Sequence, residues 1–343
     1  MVYGTASANY VFSVDSQANS LIPYVQGPNF AQFDQNLPDG SLLGIAGNQL
    51  TGIDSLVKSD LQGNVAPFYQ FPAGEALENA VYATDGNYYG ASWQEYINGS
   101  YNTNGYIYQV TPAGTANELY VLPHGTFNNI GAAPIVQGAD GNLYGLTPAG
   151  GAAGYGSVYQ LTLGGQFTTI YSFAKGPGAY PQSIIQASDG NLYVASQGVA
   201  GYSQISRVST SGQYTLMHSM AGSNGACPCT IVQGSDGTIY GTTQFGGNGG
   251  GTVFALNAGL PPPIPNALNI SPASGPVGTK VQIWGYNMLK AKVSFNGTAA
   301  TKVTNSGPNY VFAVVSKGAT TGQITVTTPG GGSTTQASFT VTK

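Results

Sequence analysis

The sequence has 343 residues, of which only 9 are Lys or Arg and 13 are Asp or Glu, so its formal net charge is −4. Such a chain offers no basic face, which argues against nucleic acid and anionic membrane surfaces as partners. Abundant glycine (51) and proline (20) would suit disorder, but 23 tyrosines and 13 phenylalanines favour packed β structure. The length allows about two domains, at least one of them large enough to bury a full core.

The N-terminal region is predicted to be β structure without a membrane segment. No apolar run approaches the roughly 20 residues that span a bilayer, and no signal peptide precedes Tyr3. We therefore expect an exported protein, extracellular or on the cell surface, whose export signal is not part of this sequence. Residues 10–15 and 21–25 have the pattern of the third and fourth strands of a sheet.

A repeat built around an Asp-Gly step follows. A nine-residue phrase, Gln-Gly-x-Asp-Gly-Asn-x-Tyr-Gly in its fullest form, occurs five times, at 36–44, 82–90, 137–145, 186–194 and 233–241. Each copy leads into further short runs rich in β-branched and aromatic residues, which gives four strands per repeat. Four strands in about 50 residues is typical of a β-propeller blade. The sequence therefore predicts an all-β fold whose first domain, residues 1–259, is a five-bladed β-propeller.

The Asp-Gly steps predict tight turns. Asp-Gly between two strands favours a type I′ hairpin, in which both central residues need positive φ, so the five aspartates are interpreted as turn formers. The last repeat stops after its third strand, near Asn257. An N-terminal strand is expected to complete that sheet and remove its open edge. One N-terminal strand is then left over, and the repeat pattern does not place it.

A change of composition marks a second domain. Residues 260–265, Leu-Pro-Pro-Pro-Ile-Pro, predict a stiff extended linker. Residues 266–343 contain strand-like runs separated by turns rich in glycine and proline. This pattern predicts an immunoglobulin-like β-sandwich.

Both domains resemble known families. Residues 36–257 resemble the tandem "GloVer" repeats of bacterial surface-anchored proteins, in which the nine-residue phrase and Gly-Thr-Val-Phe (here 251–254) recur. That resemblance implies a secreted propeller and supplies no settled catalytic residues. The C-terminal domain resembles an IPT/TIG domain, which implies a spacer or docking module, through Ser271-Pro272, Gly275-Pro276, Gly285-Tyr-Asn287 and Val293-Ser-Phe-Asn-Gly297.

The acidic residues outside the turns gather on one predicted face. In a propeller blade, the links between strands 2 and 3 and between blades emerge opposite the Asp-Gly hairpins, on what is here called the top face. Five acids map to that face in the first two repeats: Asp34, Asp54, Glu75, Glu78 and Glu95. In so uncharged a chain this indicates a functional face, although surface loops also tolerate charge as a solvated rim.

Register indicates which side chains ring the mouth of the central channel. Seven residues before the hairpin aspartates stand Gln32, Glu78, Ala133, Gln182 and Cys229. Burial beside apolar walls can raise the pKa of a carboxyl group there. Glycan hydrolysis uses two carboxyl groups, about 5 Å apart for retention or about 6.5–9.5 Å for inversion. Glu78 with Glu95 or Asp34 is the predicted catalytic set of a glycoside hydrolase, and a polysaccharide lyase using His124 is less favoured.

Aromatic side chains in the same predicted loops would suit the faces and hydroxyl groups of sugars. They are Trp93, Tyr96, Tyr101, Tyr155, Tyr180 and Tyr202. The predicted substrate-binding set is Trp93, Tyr96, His124, Gln182, Tyr180 and Gln32. Four other tyrosines recur at one register and are predicted to be core residues, namely Tyr89, Tyr144, Tyr193 and Tyr240.

The only cysteines are Cys227 and Cys229, on either side of Pro228. In an exported protein a strained local disulfide is the first interpretation and free thiols the second. A soft-metal site with His218 or Met220 is the third, because two thiolates alone do not fill a coordination sphere. No metal or cofactor is predicted.

Three functions remain open. The first is a secreted carbohydrate-active propeller that binds an extracellular polysaccharide on its top face and, if it is an enzyme, cleaves it with a Glu/Asp pair. The second is a non-catalytic lectin or adhesin. The third is a structural cell-surface or fibre-forming protein that self-associates through its unpaired strand.

Overall fold

The computed structural model describes residues 2–6, 10–14, 21–26, 30–37, 41–48, 53–59, 64–72, 75–94, 96–97, 100–101, 105–122, 134–199, 201–222, 225–247, 249–305, 307 and 309–343. Up to residue 34, and at some later strand positions, the description is of the backbone alone. Within these ranges the regular structure is β-strand, with no α-helix, so the fold is all-β as predicted. Nowhere in them is a helix long and apolar enough to cross a membrane.

Among the described residues, six antiparallel sheets of three or four strands precede the linker, each with its strands in chain order, and they are numbered here sheets 1 to 6. Sheet 1 has three strands: β1 (Val2–Ala6), β2 (Tyr10–Val14) and β3 (Leu21–Gln26). Sheet 2 has four: β4 (Phe30–Asn36), β5 (Leu42–Asn48), β6 (Ile53–Ser59) and β7 (Val65–Gln70). Sheet 3 comprises β8 (Glu75–Tyr82), β9 (Tyr88–Gln94), β12 (Gly105–Val110) and β13 (Ala116–Leu122), with a small hairpin of β10 (Tyr96–Ile97) and β11 (Ser100–Tyr101) inserted.

The last three sheets follow the same scheme. Sheet 4 comprises β14 (Ile135–Gln137), β15 (Leu143–Thr147), β16 (Ser157–Leu161) and β17 (Phe167–Ser172). Sheet 5 comprises β18 (Pro181–Gln186), β19 (Leu192–Ser196), β20 (Tyr202–Val208) and β21 (Tyr214–Ala221). Sheet 6 has three strands: β22 (Ala226–Gln233), β23 (Ile239–Phe245) and β24 (Thr252–Leu256). Sheets 2 to 6 are thus the five predicted repeats.

Consecutive sheets pack face to face, as blades of a β-propeller do. The first strand of each sheet lies on the sheet before it: β4 on β1 and β2, β8 on β4 to β6, β14 on β8 and β9, β18 on β14 and β15, and β22 on β18 to β20. The largest core cluster runs through sheets 3, 4 and 5 and includes the fully buried Tyr144, Tyr159 and Leu192. The number of blades in a closed ring stays a prediction.

The expected completion of the last sheet by an N-terminal strand is wrong. Strands β1, β2 and β3 pair with one another instead, and among the described strands β24 pairs with β23 alone. The surplus strand of the sequence therefore belongs to an additional sheet. Strand pairing over a long sequence separation carries no local sequence signal, which is why repeat counting did not place it.

The hairpin type also differs from the prediction. The Gly141 N–H donates to the Gly138 carbonyl (2.9 Å), and the Gly138 N–H donates to the Asn142 carbonyl (2.8 Å). Gly141 has φ of 83°, whereas Asp140 is not among the described residues with positive φ. This is a three-residue loop, a type I turn closed by a left-handed glycine, and it recurs around Gly86, Gly190 and Gly237. The type I′ assignment is wrong because the loop contains one residue more than that turn allows.

The C-terminal region is a two-sheet sandwich. One sheet has the order β25 (Asn266–Ser271), β27 (Lys280–Tyr286), β31 (Tyr310–Val314), β30 (Lys302–Asn305). The other has the order β26 (Ser274–Gly275), β33 (Gly331–Val341), β32 (Gly322–Thr328), β28 (Lys292–Phe295), β29 (Thr298–Ala299). Both sheets contribute to one core around Val281, Ile283, Phe295 and Phe339. The immunoglobulin-like assignment and the domain limits stay predictions.

The proline-rich segment contacts both regions. The Pro261 carbonyl accepts hydrogen bonds from Ser188 Oγ (2.5 Å) and Gln233 Nε2 (3.2 Å), which lie on the hairpin side of sheets 5 and 6. On the other side, Asn287 Nδ2 donates to the Ile264 carbonyl (3.1 Å). The linker is therefore anchored on the hairpin side of sheets 5 and 6.

Candidate functional site

The repeated Asp-Gly phrase forms a closed hydrogen-bond network. Asp140 Oδ1 accepts the Asn142 N–H (3.1 Å), and its Oδ2 accepts Asn142 Nδ2 (2.8 Å) and the Tyr144 hydroxyl (2.7 Å). The Tyr144 oxygen in turn accepts Gln160 Nε2 (2.8 Å). Asp85, Asp189 and Asp236 make the corresponding bonds to their own tyrosines. These aspartates are turn formers, as predicted, while Asp39 lies outside the described residues.

The electrostatics of this network follow from its geometry. Burial acts to raise the pKa of Asp140, but the hydrogen bonds from Tyr144 and Asn142 outweigh it and lower the pKa below its usual value. Burial, followed by the bond to Asp140, raises the pKa of Tyr144 to about 12. Asp85 and Tyr89 shift in the same directions for the same reasons. The aspartates therefore stay ionised and the tyrosines stay protonated across the physiological pH range, which suits a structural role.

In sheets 4, 5 and 6, a glutamine at the end of the first strand bonds the sheet to the sheet before it. The side-chain oxygens of Gln137, Gln186 and Gln233 accept the backbone N–H groups of Thr84 (2.9 Å), Ala139 (2.7 Å) and Ser188 (2.8 Å) respectively. Each amide nitrogen donates to the glycine carbonyl of its own Asp-Gly turn. The hairpin side is therefore a structural surface, and the top face is the remaining candidate.

The first strands of four sheets are interrupted by β-bulges. The pairing register shifts between Phe33 and Gln35 in β4, Leu77 and Ala80 in β8, Pro181 and Ser183 in β18, and Pro228 and Thr230 in β22. The residues inserted at these bulges are Asp34, Glu78 with Asn79, Gln182 and Cys229. Bulges re-aim side chains and are common beside active sites. Glu78, Gln182 and Cys229 are also residues that the sequence register places at the mouth of the central channel.

The predicted catalytic carboxylates stand on neighbouring strands. Asp34 lies in β4 and Glu78 in β8, and β8 packs on β4. Their side chains, and Glu95 as a whole, lie outside the described residues, so the catalytic pair stays a prediction. Asp54 is accounted for differently, because its Oδ2 accepts the Leu77 N–H (2.8 Å) of the next sheet and so acts as a structural link.

Most of the predicted binding residues are placed by their backbone only. Trp93 lies at the end of β9 opposite Ala76 and Gly105, Tyr96 pairs with Tyr101 in the inserted hairpin, and Gln32 pairs with Ile45. His124 lies outside the described residues. The backbone positions of Trp93, Tyr96 and Gln32 agree with the predicted ones. Their predicted roles in sugar binding stay predictions.

Tyr180 and Gln182 are described in full. The ring centroids of Tyr180 and Tyr155 are 5.8 Å apart with an interplanar angle of 59°. The Tyr180 N–H donates to the Tyr155 carbonyl (2.9 Å), and the Tyr180 carbonyl accepts the Gln197 N–H (3.0 Å) and Gln182 Nε2 (3.2 Å). These bonds tie together the top-face loops of sheets 4 and 5. Tyr202, which is 56% exposed, begins β20 at the same end of sheet 5, and Tyr155, Tyr180 and Tyr202 are here called the tyrosine platform.

Tyr180 has an unusual backbone conformation. Its φ is 55°, in the left-handed region that bulky residues rarely adopt. Conformations of this kind cost about 1–3 kcal/mol and cluster at functional sites. Sequence reasoning located the ring in a loop but had no signal for the strained backbone.

The cysteines are free thiols in the structure, which contradicts the disulfide interpretation. The Cys227 N–H donates to Ser203 Oγ (2.9 Å), and Cys229 Sγ lies 3.6 Å from the Cys227 carbonyl. Burial, and then the neighbouring Cys229, raises the pKa of Cys227. In the described part of the chain no three His, Cys, Asp or Glu side chains come together. Met220 is buried in the core and His218 is exposed, so the soft-metal interpretation gains no support.

Solved structures resemble the chain at low identity. A protein of unknown function from Dyadobacter fermentans is 13% identical over 83% of this chain and 94% of its own, with a TM-score of 0.48. The PQQ-bound aldose sugar dehydrogenase of Streptomyces coelicolor is 13% identical over 85% and 96%, with a TM-score of 0.47. A fungal alcohol oxidase in complex with copper is 12% identical over 97% and 90%, with a TM-score of 0.41. With TM-scores this low, these similarities do not indicate what the chain binds. No curated protein matches the sequence.

The repeat region identifies the family. The sequence profile of the Gloeobacter/Verrucomicrobia repeat matches residues 32–254, more than half of the chain. The match begins in β4 and ends in β24, so it spans the five sheets that carry the Asp-Gly phrase. The hydrogen bonds above give the physical reason for the recurrence of Gln, Asp, Asn and Tyr at fixed positions. The chain belongs to the Gloeobacter/Verrucomicrobia repeat family, the family that its repeat phrase resembles.

Proposed function

We propose that this protein binds a neutral extracellular polysaccharide on its top face, with the tyrosine platform as the sugar-binding surface. The observation that carries the proposal is the Tyr155–Tyr180 pair, fixed by main-chain hydrogen bonds between two sheets. Partly exposed tyrosines present a flat apolar ring together with a hydroxyl group, which suits both the faces and the hydroxyls of sugars. Rings that are already held in place lose little conformational entropy when a ligand binds.

The charge of these loops favours an uncharged glycan. Lys175 is the one charged residue in the top-face loops 147–157, 172–181 and 196–202. A polysaccharide rich in carboxylate or sulfate groups needs several Arg or Lys side chains to replace its hydration. These loops offer amides, hydroxyls and aromatic rings instead, which are the partners of neutral sugars.

Cleavage of the bound glycan by Glu78 with Asp34 or Glu95 is the catalytic part of the proposal. The supporting observation is the pair of bulges at Asp34 and Glu78 on the first strands of the neighbouring sheets 2 and 3. A carboxylate pair at the channel mouth would make the protein a glycoside hydrolase. Without cleavage, the same face makes it a lectin.

The test is to mix the purified chain with a panel of soluble and insoluble neutral polysaccharides and to measure both co-sedimentation and released sugar ends. Tyr180→Asn removes the ring but tolerates φ of 55°. We expect it to weaken binding about three- to tenfold, the value of an aromatic contact, without lowering Tm. Glu78→Gln should abolish any release while leaving co-sedimentation intact.

The matched control is Tyr310→Asn, which removes a half-buried tyrosine from the C-terminal sandwich and should change neither readout. Equal binding by the wild type and Tyr180→Asn would contradict the role of the platform. Release that persists in Glu78→Gln would contradict the catalytic assignment alone. A chain that binds none of the neutral glycans would contradict the proposal as a whole.

A further inference from the structure

One face of sheet 6 is uncovered. Alternate residues of its three strands share this face, because Thr230 pairs with Thr242 and Val232 with Tyr240, and these pair in turn with Val253 and Ala255. All six side chains are exposed: Val253 is 79%, Val232 57% and Tyr240 37% accessible. The opposite face, with Ile231 and Ile239, is buried against sheet 5.

The equivalent face of sheet 5 shows what such a surface is for. By the same pairing, Tyr193, Ala195 and Ile205 occupy the positions of Tyr240, Thr242 and Val253, and their accessibility is 0–1%. They are covered because β22 of sheet 6 packs on β18, β19 and β20. A hydrogen bond from the Ile231 N–H to Ser183 Oγ (3.2 Å) crosses that contact. The exposed face of sheet 6 is therefore a sheet-packing surface on which no described strand packs.

We propose that this face binds a second copy of the chain. It continues a series of sheet-to-sheet contacts that already holds sheets 1 to 6 together, so the chemistry that suits it is another sheet of this repeat. Its six residues are Thr, Val, Tyr, Thr, Val and Ala, so no charge is desolvated on contact. The net charge of −4 on 343 residues also gives little repulsion between copies.

The second copy offers a sheet of matching register, its own sheet 1. In β1 and β2, Gly4 pairs with Phe12, as Gly145 pairs with Tyr159 in sheet 4 and Gly241 with Phe254 in sheet 6. The pairing of β2 with β3 shifts register at Val11/Phe12, as that of β16 with β17 does at Val158/Tyr159. Sheet 1 therefore has the register of strands 2 to 4 of a repeat, although it precedes residues 32–254. A sheet 6 to sheet 1 contact between copies is head-to-tail and produces either a ring or a filament.

The test is sedimentation of the full chain over a wide concentration range. The wild type should gain mass with concentration, and Val253→Asp and Val232→Asp should each remain monomeric, because a buried carboxylate opposes the contact. Both positions are more than half exposed in the single chain, so folding should be unaffected. Leu216→Asp, at a residue that is 50% exposed on β21, is the matched control and should associate like the wild type.

Three results would overturn the proposal. The first is a wild type that stays monomeric at every concentration. The second is association that persists in both aspartate variants, which would place the contact elsewhere. The third comes from a variant in which Val253 is replaced by cysteine and both Cys227 and Cys229 by serine. If the new thiol is protected from maleimide in the monomer, the chain's own sheet 1 covers the face.

Discussion

The two ends of the sheets use their polar side chains in opposite ways. At the hairpin end, Asp140, Tyr144 and Gln160 bond to one another, and the same bonds recur from sheet to sheet. Toward the top end, the first strands of sheets 3, 5 and 6 bulge at matching positions, and the inserted residues differ: Glu78, Gln182 and Cys229. The bulge at Asp34 in sheet 2 lies nearer to the hairpin. Residues that repeat hold the sheets together, and the proposed ligand would contact residues that vary from sheet to sheet.

Replacing Asp140 with alanine tests the hairpin half of this comparison and has the largest expected effect. The change removes the carboxylate that accepts hydrogen bonds from the Asn142 side chain and from the Tyr144 hydroxyl. Because the carboxylate is solvent-exposed, we expect a loss of about 1–2 kcal/mol rather than the full value of a charged hydrogen bond. Chemical denaturation measures it, and glycan co-sedimentation should be unchanged.

Glu118→Ala is the control for that substitution, because Glu118 is an exposed acid on β13 outside the repeat network. Its effect should stay within about 0.5 kcal/mol, as for ordinary surface changes. If Asp140→Ala changes the free energy of unfolding as little as Glu118→Ala does, or if it weakens glycan binding, the sheets do not have separate structural and binding ends.

Part of this division could be predicted from the sequence. The Asp-Gly phrase has a local cause, the turn and its hydrogen bonds, so the repeats, their strands and the role of Asp140 follow from the residues. The type of turn does not, because the loop length depends on which residues pair across the hairpin. Tyr240 shares the register of the buried Tyr193 yet is 37% exposed, since its burial depends on a sheet that sequence spacing cannot supply. The bulges at Glu78 and Gln182 were likewise invisible, although counting back from the hairpin found the same positions.

The pH dependence of stability also tests the hairpin end of the sheets, and the expected effect per residue is smaller than that of Asp140→Ala. The pKa values of Asp85, Asp140 and Asp236 lie below the ordinary 3.8, so the folded state favours their charged form. Their contribution is present above pH 3.8 and is lost as the pH falls through the lower folded values. Tm should therefore decline below about pH 4, and Asp140→Asn should reduce that decline.

At alkaline pH the dependence has the opposite sign, and stability falls as the pH rises. The pKa values of Tyr89, Tyr144 and Tyr193 rise from 10 to about 12, so the folded state retains their protons. That stabilisation is complete below pH 10 and is lost as the pH rises toward 12. Tyr144→Phe should flatten this part of the Tm profile, whereas Leu216→Ala, which changes no titrating group, should leave it unaltered. A Tm profile identical in wild type and Tyr144→Phe would contradict the network.

The smallest expected effect separates two buried tyrosines of the same sheet. Tyr144 and Tyr159 are both fully buried, but the Tyr144 hydroxyl donates to Asp140, whereas the Tyr159 hydroxyl has no hydrogen-bond partner among the described residues. Burial raises the pKa of Tyr159 in the absence of any such partner. Because a buried hydroxyl without a partner costs free energy, Tyr159→Phe should leave stability unchanged or raise it by up to about 1 kcal/mol. Tyr144→Phe should instead lower it by about 1 kcal/mol. Equal losses in the two variants would show that ring packing, and not the repeated hydroxyl–aspartate bond, is what the tyrosine register provides.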